Sequence, residues 1–226
     1  SGADTFYGAS ANFTSADTIA AGAGVDTLEI TDAAVIIDTD FTNVTNVETI
    51  KLRTAGHNMT VTLGAFSSAA GIATVTGGTG TNSITIGAGH TGTLTVDLAS
   101  GTDTVTATNY TGVLSVNADI DAITSADILT GGTGTTDTIK LTGTSHTLTN
   151  VSAFEVIEAA SNANTTANFY SSNNYVIAIN GESKSITAHT VTTVVNNGVT
   201  TYRVFVTVGS TFTTTPKTGD EYMLAQ

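Results

Sequence analysis

Short stretches in which apolar and polar residues alternate recur along most of the chain, for example Thr27 to Thr31, Thr93 to Leu98 and Thr104 to Thr108. A period of two places successive side chains on opposite faces of a β-strand, so each stretch predicts a strand with one apolar face. Helical periodicity is nearly absent. Only Leu63 to Ile72, bracketed by Gly64 and Gly71, is compatible with a turn of helix. The pattern therefore predicts an all-β protein.

The sequence also contains an internal repeat. Residues 15–30 and 125–141 share a Ser-Ala-Asp phrase, a glycine-rich turn and an Asp-Thr-apolar step. Residues 42–50 and 149–157 share a second phrase, which begins Thr-Asn-Val and ends Glu-x-Ile. The order is the same both times, which predicts a superrepeat of about 110 residues. Weaker copies of the glycine-rich unit lie at 2–6, 77–84 and 101–105.

Each unit consists of a turn and a short strand, and it cannot bury its apolar face alone. Stacking of successive coils would supply the partner, so residues 1–166 are predicted to form a parallel β-solenoid with an inward ladder of Ile, Leu and Val. The pattern changes towards the C-terminus. Asn180-Gly181 and Asn197-Gly198 each separate two alternating runs, which is a strong hairpin signal. Residues 167–226 are therefore predicted to form a small antiparallel β module.

Composition narrows the possible classes of protein. Hydrophobic residues make up 40% of the 226 residues, too many for a disordered chain, yet no run is long enough to span a membrane as a helix. The formal net charge of −13 disfavours nucleic acid as a partner. Thr supplies about a fifth of the chain, and we interpret its Thr-x-Thr steps as ordinary strand surface rather than an ice-binding array. The acidic, Lys-poor composition favours a secreted protein.

The glycine-rich units resemble the Gly-Gly-x-Gly-x-Asp-x-apolar-x nonapeptide of RTX proteins. The resemblance is carried by Gly22 to Leu28 and by Gly131 to Gly134, and the longer phrase around them is similar to large RTX surface-layer and adhesin proteins of bacteria. It covers roughly residues 1–160. It implies a β-roll or β-helix that binds calcium between stacked turns, secretion by a type I system, and a structural or adhesive role at the cell surface.

Six Asp residues are the candidate calcium ligands. The first pairs are Asp17 with Asp26 and Asp127 with Asp137, because the separation within each pair is predicted to be about one turn of a solenoid, and further candidates are Asp103 and Asp4. Carboxylates and backbone carbonyls are the hard oxygen ligands that calcium takes. The alternative is that these residues only cap turns and hold no metal.

The expected function is that of an extracellular structural protein, stabilised by calcium, whose copies polymerise into a surface layer or fibre. One alternative is a monomeric adhesin or fibre segment that binds cell-surface glycans or another surface through its Tyr-bearing hairpins. A second alternative is a β-helix enzyme acting on polysaccharides. The four His residues stand alone and no nucleophile or phosphate-binding motif is present, so the chain is not expected to be an enzyme.

Overall fold

A computed structural model describes residues 2–52, 56–118, 123–134, 136–141, 145–148, 150–154 and 156–159. It also describes the backbone of the later strands. The strands are β1 Thr5–Gly8, β2 Ile19–Ala20, β3 Thr27–Ile30, β4 Ala34–Ile36, β5 Val44–Thr45, β6 Thr49–Leu52, β7 Met59–Leu63, β8 Thr74–Thr76, β9 Asn82–Ile86, β10 Thr93–Leu98, β11 Asp103–Thr106, β12 Val113–Ala118, β13 Ile128–Thr130, β14 Thr138–Leu141, β15 Ser145–Leu148, β16 Val151–Ser152, β17 Val156–Ala159, β18 Thr166–Phe169, β19 Val176–Asn180, β20 Ile186–Thr187, β21 Thr190–Asn196, β22 Val199–Phe205 and β23 Thr213–Thr214.

The chain folds as a parallel β-solenoid of about six turns, which confirms the predicted fold class. An eleven-stranded sheet forms one wall, with the order β1-β3-β6-β8-β10-β12-β14-β17-β19-β22-β21. A six-stranded sheet, β16-β13-β11-β9-β7-β4, forms another. Thr5 pairs in register with Thr27, and Thr27 with Thr49, so one turn in this part of the chain takes 22 residues.

The core is built from inward ladders contributed by the two walls. In the eleven-stranded sheet, strands β3 to β14 align the buried residues Leu28, Ile50, Val75, Val96, Val116 and Ile139. In the six-stranded sheet, the aligned buried residues are Ile36, Val61, Ile84, Val105, Leu129 and Val151. All belong to one hydrophobic cluster, which provides the continuous apolar ladder that the alternating pattern predicts.

Threonines cover much of the outward face. Strands β7, β9 and β11 align Thr60, Ser83 and Thr104 in one row and Thr62, Thr85 and Thr106 in the next. These side chains are half-buried or exposed. The excess of Thr is thus accounted for by strand surface, where the β-branched side chain suits the pleat.

One α-helix, α1 Ala65–Ala70, occurs in the described residues, within the stretch where the sequence allows a helical turn. Asp38, in the 3₁₀ helix Asp38–Phe41 of the preceding turn, accepts hydrogen bonds from the N–H groups of Phe66 (3.1 Å) and Ser67 (2.8 Å). The carboxylate satisfies donors at the start of the helix that have no partner within it. No helix in the described part of the chain has the length and apolar character that crossing a bilayer requires.

The two predicted hairpins have different outcomes. Strands β21 and β22 pair antiparallel on either side of Asn197-Gly198, as predicted, although the two turn residues lie outside the described ones. The prediction of a hairpin at Asn180-Gly181 is wrong, because β19 pairs with β17 and β22 whereas β20 pairs with β18 and β23. Strand β22 extends the wall of the solenoid, so a separate antiparallel module is not shown. The division into domains 1–166 and 167–226 stays a prediction.

Candidate functional site

Acidic residues stack at the corner that leads into the eleven-stranded sheet. Asp4, Asp26 and Glu48 directly precede β1, β3 and β6 in three consecutive turns. The Asp26 carboxylate accepts a hydrogen bond from the N–H of Asp4 (2.6 Å), and the Glu48 carboxylate accepts one from the N–H of Asp26 (2.7 Å). Asp26 is fully buried. The side chains of Asp26 and Glu48 therefore each accept a backbone N–H of the turn before, and a backbone N–H left buried without a partner would be costly.

A second ladder stands at the corner that leads into the six-stranded sheet. Asp103 Oδ1 accepts from the backbone N–H of Asn82 (3.0 Å) and from its side-chain amide (2.7 Å). Asp127 Oδ1 accepts from the N–H of Asp103 (2.7 Å). All three residues are buried. Burial raises the pKa of Asp103 to about 6, and the charge of Asp127 adds to the effect, while the bonds from Asn82 oppose it.

Asp137 joins two turns by itself. It is fully buried, its Oδ1 accepts from the N–H of Leu114 in the preceding turn (2.8 Å), and its Oδ2 accepts from the N–H of Gly132 (2.6 Å). Gly131, Gly132 and the carboxylate lie so close together that a side chain at either glycine would contact it. The glycine-rich unit thus folds its backbone around its own Asp.

The repeated phrases form the same contacts twice. In the first, Asp17 Oδ2 accepts from the N–H (2.8 Å) and hydroxyl (3.1 Å) of Thr14. In the second, Asp127 Oδ2 accepts from the N–H (2.6 Å) and hydroxyl (3.0 Å) of Thr124. In addition, the Asn43 amide donates to the carbonyl of Ser15, and the Asn150 amide donates to that of Ser125. Asn46 and Ala153, the matching residues of the second phrase, both have φ of 56°. The superrepeat predicted from the sequence is therefore also present in the structure, as matching hydrogen bonds and backbone angles.

The predicted ligand pairs rest on a wrong turn length. The prediction places Asp17 and Asp26 one turn apart, but one turn in this region takes 22 residues, more than twice their separation. The same error affects Asp127 and Asp137. The acidic pairs that the structure brings together on adjacent turns are instead Asp4 with Asp26 and Asp103 with Asp127. Glu48, which is not among the predicted ligands, completes the first ladder.

The described corners do not group enough carboxylates to form a complete calcium site by themselves. That ion takes six to eight oxygen ligands. The carboxylates of Asp103, Asp127 and Asp137 instead accept hydrogen bonds from N–H or O–H groups. No three His, Cys, Asp or Glu side chains among the described residues are grouped so as to hold a metal ion. Calcium binding by this chain stays a prediction: the hydrogen bonds satisfy many of the carboxylate oxygens, but Asp26 Oδ2 in the first ladder and Asn82 Oδ1 in the second are buried without a hydrogen-bond partner.

A buried histidine lies outside both ladders. His90 is fully buried, with Nδ1 3.3 Å from the Ser67 hydroxyl and its ring 5.9 Å from that of Tyr110. Its Nε2 has no hydrogen-bond partner. Burial lowers the pKa of His90, which favours the neutral ring, and raises the pKa of Tyr110 to about 12. Residues 87–98 and 107–118 share an x-Thr-Gly-x-Leu-x-Val core, which could have identified His90 and Tyr110 as equivalent core positions.

No protein-family model, no curated protein and no solved structure matches this chain. The fold, a parallel β-solenoid, therefore rests on the strand pairing described above, and the RTX type stays a prediction.

Asp103→Asn is expected to alter the dependence of stability on pH. Because the pKa of Asp103 is higher in the folded protein (about 6) than its ordinary value of 3.8, the folded state holds the proton more tightly. Its contribution to stability is complete below pH 3.8 and is lost as the pH rises to about 6. The amide keeps an acceptor and removes the charge, so we expect the variant to be more stable than the wild type at pH 7 by about 1 kcal/mol.

Urea denaturation of both proteins between pH 4 and 7 measures this difference. The stabilisation by Asp103→Asn should grow as the pH rises through that interval. A difference that is constant with pH, or a variant that is less stable at pH 7, would show that the buried carboxylate is not titrating in the folded state.

Proposed function

We propose that this chain is an extracellular structural protein, without enzymatic activity, whose copies stack through their strand edges into a surface layer or fibre. The proposal is supported by the organisation of the described residues. Successive turns are joined by registered strands, buried apolar ladders and carboxylate-to-backbone hydrogen bonds. An array of this kind grows by nearest-neighbour contacts, so one more turn contributed by another copy extends the same interactions.

The edge strands of the described sheets carry the proposal. Among the described strands, β1, β2 and β4 are the outermost strands of the three sheets to which they belong. The 3₁₀ turn Ser10–Asn12 packs against β4, and Ser10 donates to the Asp32 carboxylate and to the Ala33 carbonyl just before it, so β1 is the more open of these edges. Edge strands expose backbone donors and acceptors, and natural proteins usually protect them with Lys, Pro or bulges. Neither β1 nor β4 contains Lys or Pro. Tyr7 on β1 is 61% exposed and Val35 on β4 is 66% exposed, so both edges also offer apolar surface.

Asp4 provides the edge strand β1 with a carboxylate at the position where the next two turns have a hydrogen-bond acceptor. In the next two turns, the corresponding residues Asp26 and Glu48 each accept the backbone N–H of the turn before. Asp4 occupies the same position in the first described turn, and its side chain is exposed. A strand from a second copy could therefore add to β1 and donate its N–H to Asp4, which continues the ladder between molecules.

The net charge of the chain sets the conditions for assembly. At −13, each copy repels the next, and ions in solution screen this repulsion. Assembly by stacking is therefore expected to strengthen with ionic strength, because the contacts that form are mainly backbone hydrogen bonds and apolar surface. Static light scattering across a salt and protein concentration series, with electron microscopy of the products, measures how assembly depends on ionic strength.

Lysine on the edge strands is expected to abolish assembly. The test variant is Tyr7→Lys with Val35→Lys, which places charge on β1 and β4. The matched control, Thr60→Lys with Val113→Lys, adds the same charge at exposed positions on strands that are paired on both sides. Wild type and control should polymerise and the edge variant should not. A wild type that stays monomeric at high salt and protein concentration, or equal loss in both variants, would contradict stacking through these edges.

A further inference from the structure

An open groove lies where strands β8, β10 and β12 end. Its volume is about 460 Å³, within the range of sites that hold small molecules or single units of a polymer. Four polar residues line it, namely Thr76, Asp97, Asn117 and Lys140. Ala99, which is half-buried, adds apolar lining, and the buried core residues Leu98 and Ala118 lie beneath it. The groove is thus amphipathic, with polar groups and apolar surface in one concave site.

The four polar residues form a single row along the axis of the solenoid. Thr76 is in register with Asp97, Asp97 with Asn117, and Asn117 with Lys140. Neighbouring strands in a sheet are about 4.8 Å apart, so the row presents a different hydrogen-bonding group at each such step. A hydroxyl, a carboxylate, an amide and an ammonium group follow one another, whereas most other outward rows repeat Thr.

The two central groups are already held in place. The Asn117 amide donates a hydrogen bond of 2.6 Å to Asp97 Oδ1. Asp97 keeps a second carboxylate oxygen as an acceptor, and the Asn117 amide keeps a second N–H as a donor. A ligand that offers adjacent hydroxyl groups can satisfy both without moving either side chain, so little ordering cost is added on binding.

We propose that this groove binds a neutral polysaccharide whose chain runs along the solenoid axis. Sugar hydroxyls both donate and accept hydrogen bonds, which suits the alternation of acceptor and donor groups in the row, and a C–H face of a pyranose ring suits the half-buried Ala99 beside it. The charges of Asp97 and Lys140 have opposite signs, so the groove has no excess positive charge, and the net charge of −13 disfavours an acidic polymer. This inference does not depend on self-assembly and concerns a different surface from the strand edges.

Affinity electrophoresis of the full chain tests the proposal, with glucomannan, xylan or dextran in the native gel and protein below its assembly concentration. We expect at least one of these neutral polymers to retard the protein, and polygalacturonate not to. Asp97→Ala and Asn117→Ala should each weaken retardation about tenfold, since each loses a hydrogen bond to the ligand. Thr60→Ala and Thr104→Ala, on the outward face of the six-stranded sheet, serve as controls and should bind as the wild type does.

The exposed Lys140→Met variant provides a second probe, should loss of the Asp97–Asn117 bond destabilise the fold. It should also weaken retardation, with an unchanged melting temperature. The proposal is overturned if none of the three neutral polymers retards the wild type, if polygalacturonate retards it more strongly, or if folded groove variants bind as well as the Thr60 and Thr104 controls. None of these results bears on polymerisation through the strand edges, which light scattering measures separately.

Discussion

Gly131→Ala is expected to destabilise the folded protein by more than about 3 kcal/mol. A methyl group at this position would overlap the backbone carbonyl oxygen of Ala153 in the next turn, with the Asp137 carboxylate close by. The obstacle is main chain rather than the end of a flexible side chain. Relief would require β13 and β16, which are hydrogen-bonded to each other, to separate. The loss should appear as a lower midpoint in urea with an unchanged slope.

Gly8→Ala is the matched control, because it makes the same chemical change at a glycine where nothing lies within 4 Å of the added methyl group. This variant should be neutral or slightly more stable, since alanine restricts the unfolded chain. Equal stability of the two variants would mean that the close approach of the turns at Gly131 does not exist in solution.

Asp137→Ala is expected to cost about 3 kcal/mol. Removal of the side chain leaves the N–H groups of Leu114 and Gly132 without this acceptor, and each buried unsatisfied donor costs about 1–3 kcal/mol. A fully buried cavity adds to the loss. The stability of the variant in urea, measured at pH 7 with and without chelator, gives the magnitude and separates the loss of hydrogen bonds from the loss of a metal.

Two further variants define the origin of that loss. Asp137→Asn keeps the shape and one acceptor oxygen, so it should be intermediate between the wild type and Asp137→Ala. Asp17→Ala removes a carboxylate that caps an exposed turn, and it should cost about 1 kcal/mol or less. A loss at Asp17 as large as that at Asp137 would argue against burial and inter-turn bonding as the source of the effect.

The solenoid could be predicted because its signals are local. Alternation of apolar residues marks each strand, glycines mark the turns, and a unit that cannot bury its own face must stack. The turn length could not be read from the spacing of the Gly-x-Gly-x-Asp units alone. Asp26 lies nine positions after Asp17 in the sequence, whereas a full turn of the solenoid here takes 22 residues. The shared core of residues 87–98 and 107–118, offset by 20 residues, is the sequence feature that comes close to the true period.

The partners of the acidic residues depend on that period. Asp26 accepts from Asp4, and Glu48 from Asp26, because each pair is separated by one turn. Without the inter-turn register, the same residues are equally compatible with metal ligands and with turn caps, and both interpretations were open from the sequence. Likewise, Asn180-Gly181 has the local signature of a hairpin, yet β19 pairs with strands distant in sequence, because tertiary pairing outweighs the turn signal.

Amide hydrogen exchange of the calcium-free protein, followed by NMR in excess chelator, tests the central claim most directly: that buried carboxylates join successive turns by accepting backbone N–H bonds. The informative amides are those of Asp103 and Leu114, which donate to Asp127 and Asp137. We predict that both exchange as slowly as amides in the middle of the sheets, and that added calcium changes neither rate. Rapid exchange in chelator that becomes slow on addition of calcium would contradict this account and assign the acidic corners to the metal.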